Sequence, residues 1–162
     1  MRRSPATWKK WMGAAILASA FLITAGVVRP ARADTDADLR AGYYTDAAGF
    51  AIGGGVLSSL NNSGRWWFNP NLEVAFADHV NVISVNGDVH YDLPVESTMS
   101  WWVGAGPALL ISDPDPGGSS SNFGLNLIGG VGAARGPVRP FGQFKATMSD
   151  NNEVALMGGI RF

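Results

Sequence analysis

The chain has 162 residues, 46% of them hydrophobic, and a formal net charge of −1 at pH 7. It has no cysteine, which excludes a disulfide framework, a thiolate metal site and a cysteine nucleophile. The near-neutral charge conceals an uneven distribution, because the cations are concentrated at the beginning of the chain.

Residues Met1–Ala33 have the three parts of an export signal. A basic start is followed by an apolar run and then by a small-residue cleavage site: Arg2, Arg3, Lys9 and Lys10; Ala14–Val28; Ala31-Arg32-Ala33. The apolar run is too short for a typical transmembrane helix, so we expect cleavage before Asp34. Because Arg2-Arg3 lacks a twin-arginine consensus, we expect the general secretion route. A retained inner-membrane anchor is the alternative.

Removal of this signal peptide changes the charge. Six of the 12 cations lie in it and none of the 13 acids do, so the remaining 129 residues carry six cations against 13 acids, a net of −7. A chain this acidic has no basic patch for nucleic acid, and nucleic acid is therefore excluded as a partner class. The length of the remainder is that of one domain, 34–162.

From Asp34 onward, short alternating segments are separated by turn residues, with no helical periodicity. The pattern predicts an all-β chain of eight strands: Leu39–Tyr44, Phe50–Leu60, Arg65–Ala77, Val80–Asp92, Thr98–Ile111, Asn122–Ala134, Val138–Met148 and Glu153–Phe162. The longest predicted connection is Ser112–Ser121. Eight antiparallel strands joined by short turns predict an up-and-down β-barrel.

Each strand has one apolar and one polar face. In the third strand the apolar face is Phe68, Pro70, Leu72, Val74 and Phe76, and the polar face is Asn69, Asn71, Glu73 and Ala75. A soluble lipocalin-like binding protein would turn the apolar face inward. A water-facing wall is typically rich in Lys and Glu, but the predicted mature chain has one Lys and three Glu. We therefore expect the apolar face to contact lipid.

The inward-facing polar side chains then form a packed lumen network. Its charged members are Arg40, Glu73, Asp88, His90, Arg139, Lys145 and Arg161. Most other acids, including Asp36 and Asp38, are assigned to the amino-terminal tail, turns or strand ends. Buried charges must be paired or hydrogen-bonded, which favours a structural role for the network. A proton or small-ion relay through Glu73, His90 and Lys145 is the alternative.

The last strand has the dimensions of a membrane-crossing element. Its ten residues, Glu153–Phe162, advance about 23 Å at a tilt near 45°, close to the roughly 25 Å apolar band of a transmembrane barrel. Aromatic residues are expected at two heights, with Trp66-Trp67, Trp101-Trp102, Tyr91, Phe141 and Phe162 toward one end and Tyr43, Tyr44, Phe50, Phe76 and Phe123 toward the other. Because adjacent residues point to opposite faces, one tryptophan of each pair is expected inside.

The chain resembles the small eight-stranded outer-membrane β-barrel family of Gram-negative bacteria, which includes opacity-type surface proteins and the OmpA-like transmembrane domain. The resemblance is carried by the export signal, the eight alternating strands, the glycine-rich segments Trp101–Pro107 and Asn122–Gly130, the strand Pro140–Lys145 and the ending Gly158–Phe162. It implies outer-membrane lipid as the surroundings. It also implies that Phe162, as a carboxy-terminal aromatic, is an assembly signal for the barrel-assembly machinery.

The sequence predicts no catalytic, cofactor or metal site. His79 and His90 are placed at opposite ends of the barrel, and Asp113–Gly118 reads as a solvated turn that has too few ligands for calcium. The predicted function is therefore non-enzymatic, either structural or in surface interaction. A lipid-modifying or lipid-binding barrel enzyme is the alternative.

Overall fold

The computed structural model describes residues 35–77, 80–95, 97–114 and 118–162, and these form eight strands. The strands are β1 (Thr35–Tyr44), β2 (Gly49–Ser59), β3 (Trp66–Phe76), β4 (Val80–Asp92), β5 (Met99–Pro114), β6 (Ser120–Ala133), β7 (Arg139–Met148) and β8 (Glu153–Arg161). All eight predicted strands are confirmed, with ends displaced by at most four residues. The predicted signal peptide, Met1–Ala33, lies outside the described residues.

The strands close into a barrel in which each pairs antiparallel with the next and β8 pairs with β1. Tyr43 on β1 pairs with Phe50 on β2, which pairs with Phe76 on β3. Following the paired residues from Tyr43 in the other direction, through β8, β7, β6, β5 and β4, leads to Trp66 on β3. The two routes meet β3 at positions 76 and 66, ten residues apart. This stagger tilts the strands, and eight tilted strands leave an interior just wide enough for side chains.

The barrel has two ends, which we name by what they carry. The terminal end holds the start of β1, the end of β8, and the β2–β3, β4–β5 and β6–β7 turns. The loop end holds the other four connections. The prediction of a ten-residue connection at Ser112–Ser121 was wrong, because β5 continues to Pro114 and β6 begins at Ser120. Its Asp, Pro, Gly and Ser content favoured a loop, but strand pairing extends into both ends of the segment.

The exterior is apolar. Large hydrophobic side chains between 38 and 81% exposed occur on every strand except β4. They include Leu39, Tyr43, Phe50, Ile52, Trp66, Phe68, Phe76, Met99, Trp101, Val103, Phe123, Leu125, Leu127, Phe144, Met148, Leu156 and Ile160. The outward side chains of β4, such as Ile83 and Val85, are partly exposed. Their inward neighbours are buried, so alternation along each strand separates the two environments. This is the reverse of a soluble barrel that hides its apolar face.

The interior is layered along the barrel axis. An apolar layer at the loop end contains Tyr44, Ala51, Ala75, Val82, Ala108, Leu110, Ala155 and Met157. A second apolar cluster contains Trp102, Ile128 and Phe141, which lie on β5, β6 and β7 toward the terminal end. Polar and charged side chains fill the space between these layers. Among the described residues, no helix is long and apolar enough to cross a membrane.

Candidate functional site

The centre of the interior is a charged cluster around Glu73, a fully buried residue on β3. Its carboxylate accepts hydrogen bonds from Arg40 Nη1 at 3.3 Å and from the Tyr44 hydroxyl at 2.5 Å, and it forms an ion pair with Lys145 Nζ. Lys145 Nζ also donates to the Tyr44 hydroxyl at 2.9 Å. Strands β1, β3 and β7 are thereby connected across the barrel by one carboxylate.

Arg40 extends this cluster toward the terminal end. Its Nε and Nη2 donate to the two carboxylate oxygens of Asp38, both at 2.7 Å. Its Nη2 also donates to Asn69 Oδ1 at 2.8 Å. A bidentate arginine–carboxylate pair is among the strongest polar contacts in proteins. The two acids Asp38 and Glu73 thus balance the two cations Arg40 and Lys145.

A second network surrounds Asp88 on β4. Its two carboxylate oxygens accept hydrogen bonds at 2.9 Å from Asn71 Nδ2 and Asn126 Nδ2. Asn86 Nδ2 donates to Asn71 Oδ1, and the Thr147 hydroxyl donates to Asn126 Oδ1. Asp88 is fully buried, and in the described residues its two oxygens are hydrogen-bonded by amides rather than paired with a cation.

At the terminal end, the rings of Trp102 and Phe141 form an aromatic platform, and the cation Arg161 lies on it. The guanidinium carbon of Arg161 lies 4.2 Å from a Trp102 ring centroid and 4.8 Å from the Phe141 ring centroid. The Trp102 ring packs against the backbone of Gly130, where an added Cβ would collide with it. Trp102 Nε1 in turn donates to Gln143 Oε1 at 3.4 Å. Glycine on β6 therefore provides the space that the indole occupies.

Two further pairs lie beside this platform. Arg139 forms an ion pair with Asp36, and His90 Nε2 lies 3.6 Å from Asp92 Oδ1. His90 also packs against Trp102, with ring centroids 5.8 Å apart. Within the described part of the chain, five buried side-chain atoms here have no hydrogen-bond partner: His90 Nε2, Asp92 Oδ1, Arg139 Nε, Gln143 Nε2 and Arg161 Nε.

The structure divides the seven predicted lumen residues into three places. Arg40, Glu73 and Lys145 share the central cluster, and Asp88 has its own amide network. His90, Arg139 and Arg161 lie at the terminal end. His90 belongs to a different group from Glu73 and Lys145, so the contacts of these three residues do not form the continuous path that a relay through them requires.

Sequence reasoning missed two acids that matter. The sequence places Asp36 and Asp38 in the amino-terminal tail before the first predicted strand, but both belong to β1, and Asp38 is fully buried against Arg40. The available indication was their spacing, because Asp36, Asp38 and Arg40 have the same parity along the chain and therefore the same face of a strand. Tyr44 and Asn69 were likewise not identified as partners of the charged residues.

Phe162 follows the last strand and closes the barrel. Its N–H donates to the carbonyl of Ala37 at 3.0 Å, and its carbonyl accepts from the N–H of Ala37 at 2.9 Å. The side chain is half exposed on the outer surface. The last residue is therefore part of the β1–β8 seam.

Several solved structures are similar to this barrel. The amino-terminal β-barrel domain of Pseudomonas aeruginosa OprF matches with a TM-score of 0.68 and 12% identity, over 81% of this chain and 98% of that one. Neisserial surface protein A matches with a TM-score of 0.60 and 18% identity, over 78% and 92%. The outer-membrane enzyme PagL matches with a TM-score of 0.52 and 13% identity, over 78% and 98%.

No protein-family model and no curated protein sequence matches the chain. The structural similarities nevertheless establish the fold. This chain has the fold of the small eight-stranded outer-membrane β-barrels, as the sequence resemblance predicted.

Proposed function

We propose that this protein is a non-enzymatic barrel of the bacterial outer membrane, with a structural or surface-interaction role and a packed polar lumen. The observation that carries the proposal is the inverted distribution of polarity, with hydrophobic side chains exposed outside and ion pairs buried inside. Water would make that exterior unfavourable, whereas lipid favours it. The similar outer-membrane barrels support the same location.

The height of the apolar exterior matches a bilayer. Trp66 and Phe76 are the outward aromatics at the two ends of β3, ten residues apart. Ten steps of about 3.3 Å at a tilt of about 40° give roughly 25 Å, the height of the apolar band in such barrels. Aromatic residues at both ends of the band suit the two membrane interfaces.

Export and assembly complete the proposal. The segment Met1–Ala33 directs the chain through the general secretion route and is removed before Asp34. The barrel-assembly machinery then recognises the closing strand through Phe162, with both termini on the periplasmic side. This places the terminal end in the periplasm and the loop end at the cell surface.

The lumen network serves to hold the strands in register. Glu73 ties β3 to β1 and β7, and Asp88 ties β4 to β3 and β6. The contacts of Glu73 with Arg40 and Lys145 and that of Asp88 with Asn126 join strands that are not neighbours in the sheet, so they resist deformation of the barrel wall. A buried polar network of this kind stabilises one register only when its members are satisfied.

The enzymatic alternative is favoured only by the fold shared with PagL. A lipid-modifying enzyme needs its nucleophile and base where lipid can reach them. His90, the single histidine in the described ranges, is buried inside the barrel beside Trp102. His79 lies outside those ranges. The burial of His90 supports the non-enzymatic role.

The proposal is tested by expressing the full chain in a Gram-negative host and separating the two membranes. We expect the processed protein, beginning at Asp34, in the outer-membrane fraction, with a gel mobility in detergent that changes on boiling. Phe162→Ala should lower the folded yield several-fold. Phe50→Ala, which truncates a similarly exposed phenylalanine at the loop end, should not. A processed protein that stays soluble without detergent would refute the proposal.

A further inference from the structure

Among the buried atoms without a partner at the terminal end of the lumen, hydrogen-bond donors outnumber acceptors. Three buried donors lack a partner among the described residues, namely Arg139 Nε, Arg161 Nε and Gln143 Nε2. His90 Nε2 and Asp92 Oδ1 also lack a partner, and they lie 3.6 Å apart, which is too far for a hydrogen bond. Buried polar groups are normally satisfied by protein, water or a ligand. The three remaining donors require acceptors.

Two of these donors belong to residues that contact the platform of Trp102 and Phe141. Arg139, Phe141 and Gln143 follow one another on the inner face of β7, and Arg139 is directly opposite Arg161 on β8. Arg161 lies over Trp102 and Phe141, and Gln143 accepts from Trp102. Arg161 and Gln143 therefore contact the same indole, and Arg139 is the register neighbour of Arg161.

The charges favour an acceptor that is negative. Arg139 is neutralised by Asp36, and Arg40 is held by Asp38. Arg161 forms no ion pair with any acid in the described part of the chain. In the register it lies between Arg139 on β7 and Asp38 on β1, and Asp38 is already held by Arg40. Like charges directly opposite each other on neighbouring strands are unfavourable unless something neutralises them.

The site can be reached from the end of the barrel. Gln143 and His90 are at least nine-tenths buried, whereas Arg139, Asp36 and Asp92 each expose about a quarter of their side chains. A small ligand can thus approach past the partly exposed Arg139–Asp36 pair and contact the buried amide of Gln143. Arginine offers planar, directional donors that match the oxygens of a phosphate or carboxylate.

We propose that the terminal end of the lumen is a binding site for a small oxyanion, held by Arg161 and Arg139 with Gln143 as a neutral donor. Phosphate is the chemistry that fits, supplied either as the free ion or as the headgroup of an anionic phospholipid. The site rests on the geometry of the lumen alone and does not depend on the surface role proposed above.

The test uses protein purified from membranes of the expressing host in a maltoside detergent, which has no phosphate group. Inorganic phosphate is titrated while NMR follows the Arg161 Nε–H, the Gln143 amide and the Trp102 indole N–H. We expect saturable shifts of all three signals. Gln143→Leu and Arg161→Lys should each weaken binding by about tenfold or more, because each removes a donor to a charged ligand.

Arg135→Gln is the matched control, since it removes an exposed arginine from a turn at the same end of the barrel. It should change the affinity less than about twofold. A second titration uses short-chain phosphatidylglycerol, with phosphatidylcholine for comparison. Saturation by phosphate identifies the free ion as sufficient, and saturation only by phosphatidylglycerol identifies the headgroup. The proposal would be overturned if sodium chloride at equal ionic strength reproduced the shifts, or if Arg135→Gln weakened binding as much as the lumen variants do. The absence of any shift would also overturn it, because the donors would then be assigned to water.

Discussion

Replacing Glu73 with glutamine should destabilise the barrel strongly, although the two side chains have nearly the same size. Glu73 faces two cations, and Arg40 keeps Asp38 as a second carboxylate partner. Lys145 keeps only the Tyr44 hydroxyl and becomes a buried cation without a counter-charge. Breaking a buried ion pair by removing one partner costs about 3–5 kcal/mol, and we expect Glu73→Gln to fall in this range.

Combining Glu73→Gln with Lys145→Met separates charge from shape. The double variant has no unpaired ammonium, so we expect it to regain at least about 2 kcal/mol of the free energy of unfolding. Urea unfolding in lipid vesicles, followed by tryptophan fluorescence and by gel mobility, measures each value. Asp150→Asn, in an exposed turn, is the control and should change stability by less than about 0.5 kcal/mol. A cost of Glu73→Gln below about 1 kcal/mol, or a double variant no better than the single one, would refute the assignment of a desolvated pair.

Two further predictions concern the wall of the barrel. Leu127→Arg, on the outward apolar surface, should lower the free energy of unfolding in a bilayer by about 2–4 kcal/mol, whereas Val138→Arg, beside a turn, should lower it by about 0–1 kcal/mol. Equal losses would argue against lipid contact at Leu127. Gly130→Ala should cost about 1–3 kcal/mol by displacing Trp102, and Gly142→Ala, where an added Cβ meets nothing within 4 Å, should be close to neutral. Both comparisons use the same urea unfolding, and a neutral Gly130→Ala would show that the indole does not pack on this glycine.

The alternation of apolar and polar residues was sufficient to predict the strands, because each strand separates lipid from lumen. This alternation is visible along the middle of a strand even where its ends are misplaced by a few residues. Val80–Asp92 was predicted to the residue. The start of β1 was missed because Thr35, Asp36 and Asp38 are polar on both sides of the alternation and resemble a tail. Only the barrel reveals that Asp38 is covered, because its partner Asn69 comes from β3.

Contacts across the lumen could not be predicted, because they depend on the register of all eight strands together. Glu73 and Lys145 are 72 residues apart, and their meeting requires the ten-residue stagger that closes the barrel. Parity placed both side chains inside but could not assign their heights. The same limitation explains why His90 was grouped with Glu73 and Lys145 in the relay alternative, although it lies beside Trp102.

The order of the interior layers explains how this barrel combines rigidity with polar groups that remain unpaired. The central charges are matched two against two and hydrogen-bonded, so a change there leaves a charge without its partner. At the terminal end, by contrast, Arg161 is held by ring faces rather than by an acid. A cation stabilised by aromatic rings keeps its N–H donors free for another partner. The terminal end of the lumen therefore keeps the donors that the proposed oxyanion would use, whereas the central charges are occupied by one another.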